Sequence, residues 1–162
     1  MTEEERDAKH WQLLTSFLEK ATPVAQVNFA RWTNYTDEDI LIWMIERPET
    51  DLAAALTIYF NMSPNYYAEK TMEALASYER ETYELLEKIA KRVKENFYAP
   101  SDVYFLGTDF LDIKYVNQDA LRPIAEHMMK AYQGSIIISH DFPEDFDEGL
   151  SIALFEEIME LY

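Results

Sequence analysis

Pro48-Glu49-Thr50-Asp51-Leu52-Ala53-Ala54-Ala55-Leu56-Thr57-Ile58-Tyr59-Phe60-Asn61-Met62 is the stretch on which the fold turns. Thr50 or Asp51 can cap a helix, and Pro48 just upstream suits the entry to one. From Leu52 to Phe60 there is no charge, and Thr57 is the one residue outside the hydrophobic set. A helix that is apolar on every side is buried on every side. It is too short for a bilayer, which takes about 20 apolar residues. The pattern therefore predicts a buried central helix over about 51–62, with more amphipathic segments packed round it. The run Ala53, Ala54, Ala55 lets neighbouring helices come close. The expected fold class is mainly α, a single-domain helical bundle over residues 1–162. A small hairpin or strand pair near 103–116 and 135–139 stays open as an addition.

Composition supports that frame. In 162 residues, 48% hydrophobic with 14% aromatic, there is enough apolar mass for a core. The absence of cysteine excludes disulfides, cysteine metal sites and a thiol nucleophile. The opening Thr2-Glu3-Glu4-Glu5-Arg6 is charged where a signal peptide needs an apolar stretch, so the expected location is the cytoplasm. Lys plus Arg number 14 against 31 Asp plus Glu, a net charge of −17. No Lys or Arg follows Lys130, whereas Asp141, Glu144, Asp145, Asp147, Glu148, Glu156, Glu157 and Glu160 do. Such a field repels nucleic acid and anionic lipid and speeds association with a basic partner. Solubility alone accounts for it equally well.

Working outward from the centre, Thr2 and Glu5 have the spacing of a capping box, opening a helix with Trp11, Leu14, Phe17 and Leu18 on one face. Pro23 breaks it, and Thr22 is pushed out of helical geometry. A second helix is predicted over about 24–33. Asn34-Tyr35-Thr36 reads as a turn. Thr36 and Asp39 then open a short third helix carrying Ile40, Trp43, Met44 and Ile45, closed by Pro48. After the break at Asn61, Ser63, Pro64 and Asn65, the stripe Met72, Leu75, Tyr78, Leu85, Leu86, Ile89, Val93, Phe97 predicts one long helix over 66–97, or two broken near Ser77. Residues 103–116 read as a hairpin or as a short helix capped by Thr108. Asp119 to Tyr132 reads as helix ended by Gly134, and 135–139 as a buried strand. A last helix is expected after Pro143, burying Phe146, Leu150, Ala153, Leu154 and Ile158.

Motifs for chemistry are lacking. His10, His127 and His140 are far apart and none sits at a zinc-motif spacing. Three scattered glycines build no phosphate loop, and no Gly-x-Ser-x-Gly elbow occurs. The acidic run from His140 to Glu148 has enough carboxylates for a hard cation. It lacks the alternating ligands and central glycine of a calcium hand, and acids at a helix N-terminus are explained by the helix dipole. No catalytic residue, cofactor or metal is assigned. The aromatic surplus stands out instead: Tyr66-Tyr67 and Asn34-Tyr35 sit in or beside turns, where amphipathic rings serve binding surfaces.

The run from about Val27 to Phe60 resembles a bacterial family known as domain of unknown function 4274. Its members show an acid-rich Asn-Tyr turn, a helix, and then a His/Arg-Pro-x-Cys-Asp-Leu-x-x-Ala-Leu stretch ending in aromatics. The matching positions are Asn34, Tyr35, Arg47, Pro48, Asp51, Leu52, Ala55, Leu56, Tyr59 and Phe60. Thr50 stands where the family favours cysteine, and Thr36-Asp37 where it favours Asn-Trp. The resemblance implies a mostly helical intracellular bacterial protein and carries no activity with it.

Two readings of function remain. The first is a non-catalytic acidic domain covering a basic protein, as immunity proteins cover nuclease toxins. Its candidate surface is Asn34, Tyr35, Asp37, Tyr66, Tyr67, Asp145, Asp147 and Glu148, and it involves no nucleic acid and no membrane. The second is an enzyme or small-ligand site between helices near Asn34, Asp37, Asp39 and Asp51. Convergence of those acids in one pocket favours the second; acids spent on capping helices favour the first.

Overall fold

The computed structural model describes residues 1–33, 38–109, 117, 119–139, 141 and 143–162. Helix α4, Leu52–Asn61, is buried without interruption from Ala53 to Phe60. Asp51 is its N-cap, accepting a hydrogen bond from the Ala53 amide at 2.8 Å. The buried Thr57 hydroxyl needs a partner and donates back to the Ala53 carbonyl at 2.7 Å, so the one hydroxyl inside this helix is satisfied. Helix α2, Pro23–Trp32, packs along α4, and Asn61 donates to the Ala30 carbonyl at 2.9 Å to tie the two together. The central helix expected at about 51–62 is the observed one.

The shell follows local signals. Helix α1, Glu3–Lys20, opens on the Thr2–Glu5 capping box and buries Leu14 and Leu18, while Trp11 stays 40% exposed. Thr22 is the extended N-cap of α2, with Pro23 in its first turn. Helix α3, Glu38–Ile45, ends under a clamp. Its Ile45 carbonyl accepts from Arg92 at 2.7 Å and from the Tyr98 hydroxyl at 2.8 Å, satisfying an orphan C-terminal carbonyl. Glu46 next to it pairs with Arg92 and Lys88, both at 2.9 Å. These two cations hold its carboxyl below the usual range.

The stripe from 66 to 97 is not one helix. Ser63 takes a left-handed backbone (φ 57°) and Pro64 starts a five-residue helix α5, Pro64–Ala68. A single 3-10 turn, Met72–Ala74, precedes helix α6, Ser77–Lys94. The break is at Ser77: Glu79 turns back to accept the Ala76 amide at 2.9 Å, a helix start rather than a helix interior. Leu86, Ile89 and Val93 bury against α4; Tyr78, read as part of the stripe, is 72% exposed.

The C-terminal third departs most from its periodicity. Strand β1, Phe105–Leu106, pairs antiparallel with β2, Ala131–Tyr132, and Val103 bridges Ile136 in parallel. Gly107–Asp109 is a 3-10 turn; residues 110–116, over which the hairpin or short helix was expected, lie outside the described set. The helix expected over 119–132 is only α7, Glu126–Met129. Local partners have claimed the backbone before it: the Arg122 amide donates to Ala68, and the Asn117 side chain brackets Ile124 through both its amide and its carbonyl. Gly134 is no helix terminus. A Cβ there would stand 2.3 Å from the Asp102 carbonyl oxygen, so glycine lets two backbones touch where 102–104 meets 134–136. Residues 135–139 are not a buried strand: only Ile136 bridges, and Ile137 is 81% exposed.

The last helix starts later than expected. Strands β3, Phe146–Asp147, and β4, Leu150–Ser151, form a hairpin, and α8, Ile152–Met159, follows. Glu148 (φ 46°) and Gly149 (φ 82°) make the two-residue turn with positive φ that hairpins favour. Among the described residues the chain is mainly α, with two small antiparallel strand pairs. One cluster of buried side chains runs from Leu14 to Ile158. No described helix is long and apolar enough to cross a membrane.

Candidate functional site

The left-handed Ser63 turns the chain sharply off α4, and the two tyrosines of α5 then face different surroundings. Tyr67 is buried and Tyr66 is 43% exposed, their rings packed edge to face at 5.1 Å. The Tyr66 hydroxyl donates to Glu79 at 2.5 Å. That bond raises the tyrosine's pKa and lowers the carboxylate's, each holding the other in its ordinary charge state. Lys70 lies 5.2 Å from the centre of the Tyr66 ring.

Tyr66 and Tyr67 line a cavity of about 700 Å³ floored by Leu41, Ile58 and Met62. Thr33 and Glu38, the residues on either side of 34–37, line it too. The Tyr66-Tyr67 turn singled out in the sequence thus borders this groove. Asn34, Tyr35 and Asp37 themselves lie outside the described residues, as does the Thr36 half of the expected capping pair. Tyr78 and Glu38 are groove residues that the sequence offered no sign of: Tyr78 was hidden in a helical stripe, and Glu38 is one acid among 31.

The other candidate acids are elsewhere. Asp145, Asp147 and Glu148 are exposed on the β3–β4 hairpin rather than at a helix N-terminus, which removes the dipole as their explanation. That hairpin is seated on α2, where a Cβ on Gly149 would stand 2.7 Å from the Phe29 Cα. Asp39 is exposed in the first turn of α3. It lines a second cavity of about 570 Å³ with Glu38 and with Asp7 and His10, both hydrogen-bonded to the Tyr162 hydroxyl, at 3.0 and 3.2 Å. Asp51 is buried at the head of α4.

Burial raises the pKa of Asp51, against hydrogen bonds from Ser101 and from the Ala53 and Ala54 amides that favour the charged form. A raised folded pKa means that ionisation opposes folding. The penalty is absent below the ordinary carboxylate range, grows as pH rises through the Asp51 value and is complete above it. Asp51→Asn keeps a cap acceptor and removes the charge. It is expected to match or exceed the parent in melting temperature at neutral pH and to lose that advantage in acid. A uniform loss at every pH would contradict this assignment.

The histidines are structurally occupied where described. His127 Nε2 donates to the Ala90 carbonyl at 2.7 Å, and His10 meets Tyr162. No group of three His, Asp or Glu side chains is placed to hold a metal among the described residues. Residues 21–94 match the model of a family described as Domain of unknown function (DUF4274). The match contains the whole Val27–Phe60 run and extends to the end of α6. No curated protein and no solved structure matches the chain.

Proposed function

We propose that this is a single, non-catalytic acidic domain that binds a basic protein, with the tyrosine-lined groove as its anchor point. The observation that carries the reading is the groove between α2, α3, α5 and α6: Tyr66 and Tyr78 stand exposed at an apolar floor, with Glu38 lining it and Glu79 bonded to Tyr66. Rigid aromatic rings around a pocket, ringed by carboxylates, suit a basic surface carrying one apolar side chain. The net charge of −17 and the hairpin acids Asp145, Asp147 and Glu148 add long-range attraction to such a partner and repulsion from nucleic acid. Capping also accounts for Asp51 without any role in catalysis.

The test is affinity capture from lysate of the source cells, with the parent chain and Tyr78→Ala side by side. Tyr78 is 72% exposed, so its truncation is expected to leave the melting temperature unchanged. A basic protein held at low salt, released at high salt and bound roughly tenfold more weakly by Tyr78→Ala supports the proposal. Capture that ignores both salt and Tyr78 would sink it.

A further inference from the structure

On the other side of α4 lies a cavity of about 500 Å³ with the opposite chemistry. Its floor is apolar, made of Leu56, Val93, Val103 and Phe105. Lys94, Lys130 and His127 line it, and among the described residues no Asp or Glu does, in a chain with 31 of them. Glu95 and Glu126, next in sequence to Lys94 and His127, are not among the lining residues. The nearby acids are engaged: Asp51 with Ser101 and the head of α4, Asp102 with the Ser135 hydroxyl at 2.5 Å. Neither Lys94 nor Lys130 pairs with a carboxylate among the described residues; Lys130 instead lies 5.0 Å from the centre of the Tyr132 ring.

The walls add aromatic surface to the cavity. The Tyr98 and Tyr132 hydroxyls are committed to the Ile45 and His127 carbonyls, so they offer ring surface to the cavity. A carbonyl only accepts, so His127 Nε2–H is committed to Ala90, and the groups left to donate to an anion are the two lysines. Cations with no carboxylate partner among the described residues, above an apolar floor of this volume, are the composition of a small-molecule site. We propose that this cavity binds a small organic anion with an apolar ring or short acyl body. Lys94 and Lys130 hold the anion, and the body lies on Leu56, Val93 and Phe105. This site is independent of the tyrosine groove.

The probe is 1-anilinonaphthalene-8-sulfonate, an anion on an aromatic body that fluoresces in apolar surroundings, with octanoate and 1-octanol as competitors. Saturable binding is expected, displaced by octanoate at concentrations roughly tenfold below those of the uncharged alcohol. Lys94→Glu/Lys130→Glu is expected to weaken the probe roughly tenfold or more. The control Lys9→Glu/Lys20→Glu makes the same change in net charge on α1 and is expected to shift it less than about twofold. Lys94→Arg/Lys130→Arg should retain binding, and Lys94→Gln/Lys130→Gln serves if the reversed pair fails to fold. Absent saturation, equal competition by octanol, or equal loss in the α1 control would each overturn the proposal.

Discussion

Leu56→Ala and Ile58→Ala are each expected to lower the unfolding free energy by about 2–5 kcal/mol, although they point to opposite sides of α4. Two residues apart on a helix is roughly 200° of rotation. On an ordinary amphipathic helix one such substitution falls on the solvent side and costs little. Here both side chains are almost fully enclosed, as are Ala54 and Ala55 on the same helix. The truncations therefore remove apolar contacts and leave voids that close-packed neighbours fill only in part. In a chain of this size each kcal/mol moves the melting temperature by roughly 2–4 °C. Leu52→Ala is the internal comparison, since Leu52 is only half-buried at the first turn, and it is expected to cost less than either. Urea denaturation of the three variants gives the ordering. A cost below about 1 kcal/mol for either Leu56 or Ile58 would mean that α4 has a tolerant face and is not the centre of the fold.

That centre was legible because composition alone marks a helix with no polar side, and the Thr2 and Asp51 caps were legible because their side chains act within three residues of themselves. The C-terminal third was not, because its backbone is organised by partners distant in sequence. Phe146, Leu150, Leu154 and Ile158 have helical spacing, yet the first two belong to a hairpin; the local clue was Gly149 at the second turn position. The apolar residues of 119–132 looked helical too, but Asn117 and the Ala68 carbonyl take up that backbone before α7. The groove was half legible. Tyr66 and Tyr67 were marked by their turn, whereas the cavity at Lys94 and Lys130 joins residues 36 apart, and no spacing announces it. Gly107 carries the same lesson, since nothing local distinguishes it from a turn glycine.

Gly107→Ala is expected to destabilise the protein by about 1–3 kcal/mol, and Phe60→Leu to relieve much of that loss. A Cβ on Gly107 would lie 2.0 Å from the Phe60 Cζ and 2.2 Å from its Cε2. Those separations are impossible, so the ring must move. Its room is small: Phe60 is buried, with Tyr59 edge-on at 5.0 Å and Phe105 at 5.8 Å. The backbone at Gly107 is not in the left-handed region, so alanine meets a steric obstacle and no conformational one. Gly149 differs, because its φ of 82° would strain any side chain, and shrinking a neighbour cannot repair that. Phe60→Leu alone removes ring contacts and is expected to cost about 1–2 kcal/mol. In the double variant the alanine methyl occupies space the ring has left, so the combined cost should fall short of the sum by about 1 kcal/mol or more. Chemical denaturation of the four proteins closes the cycle. Strict additivity would show that Phe60 is not what holds the β1 end of the chain against the central helix.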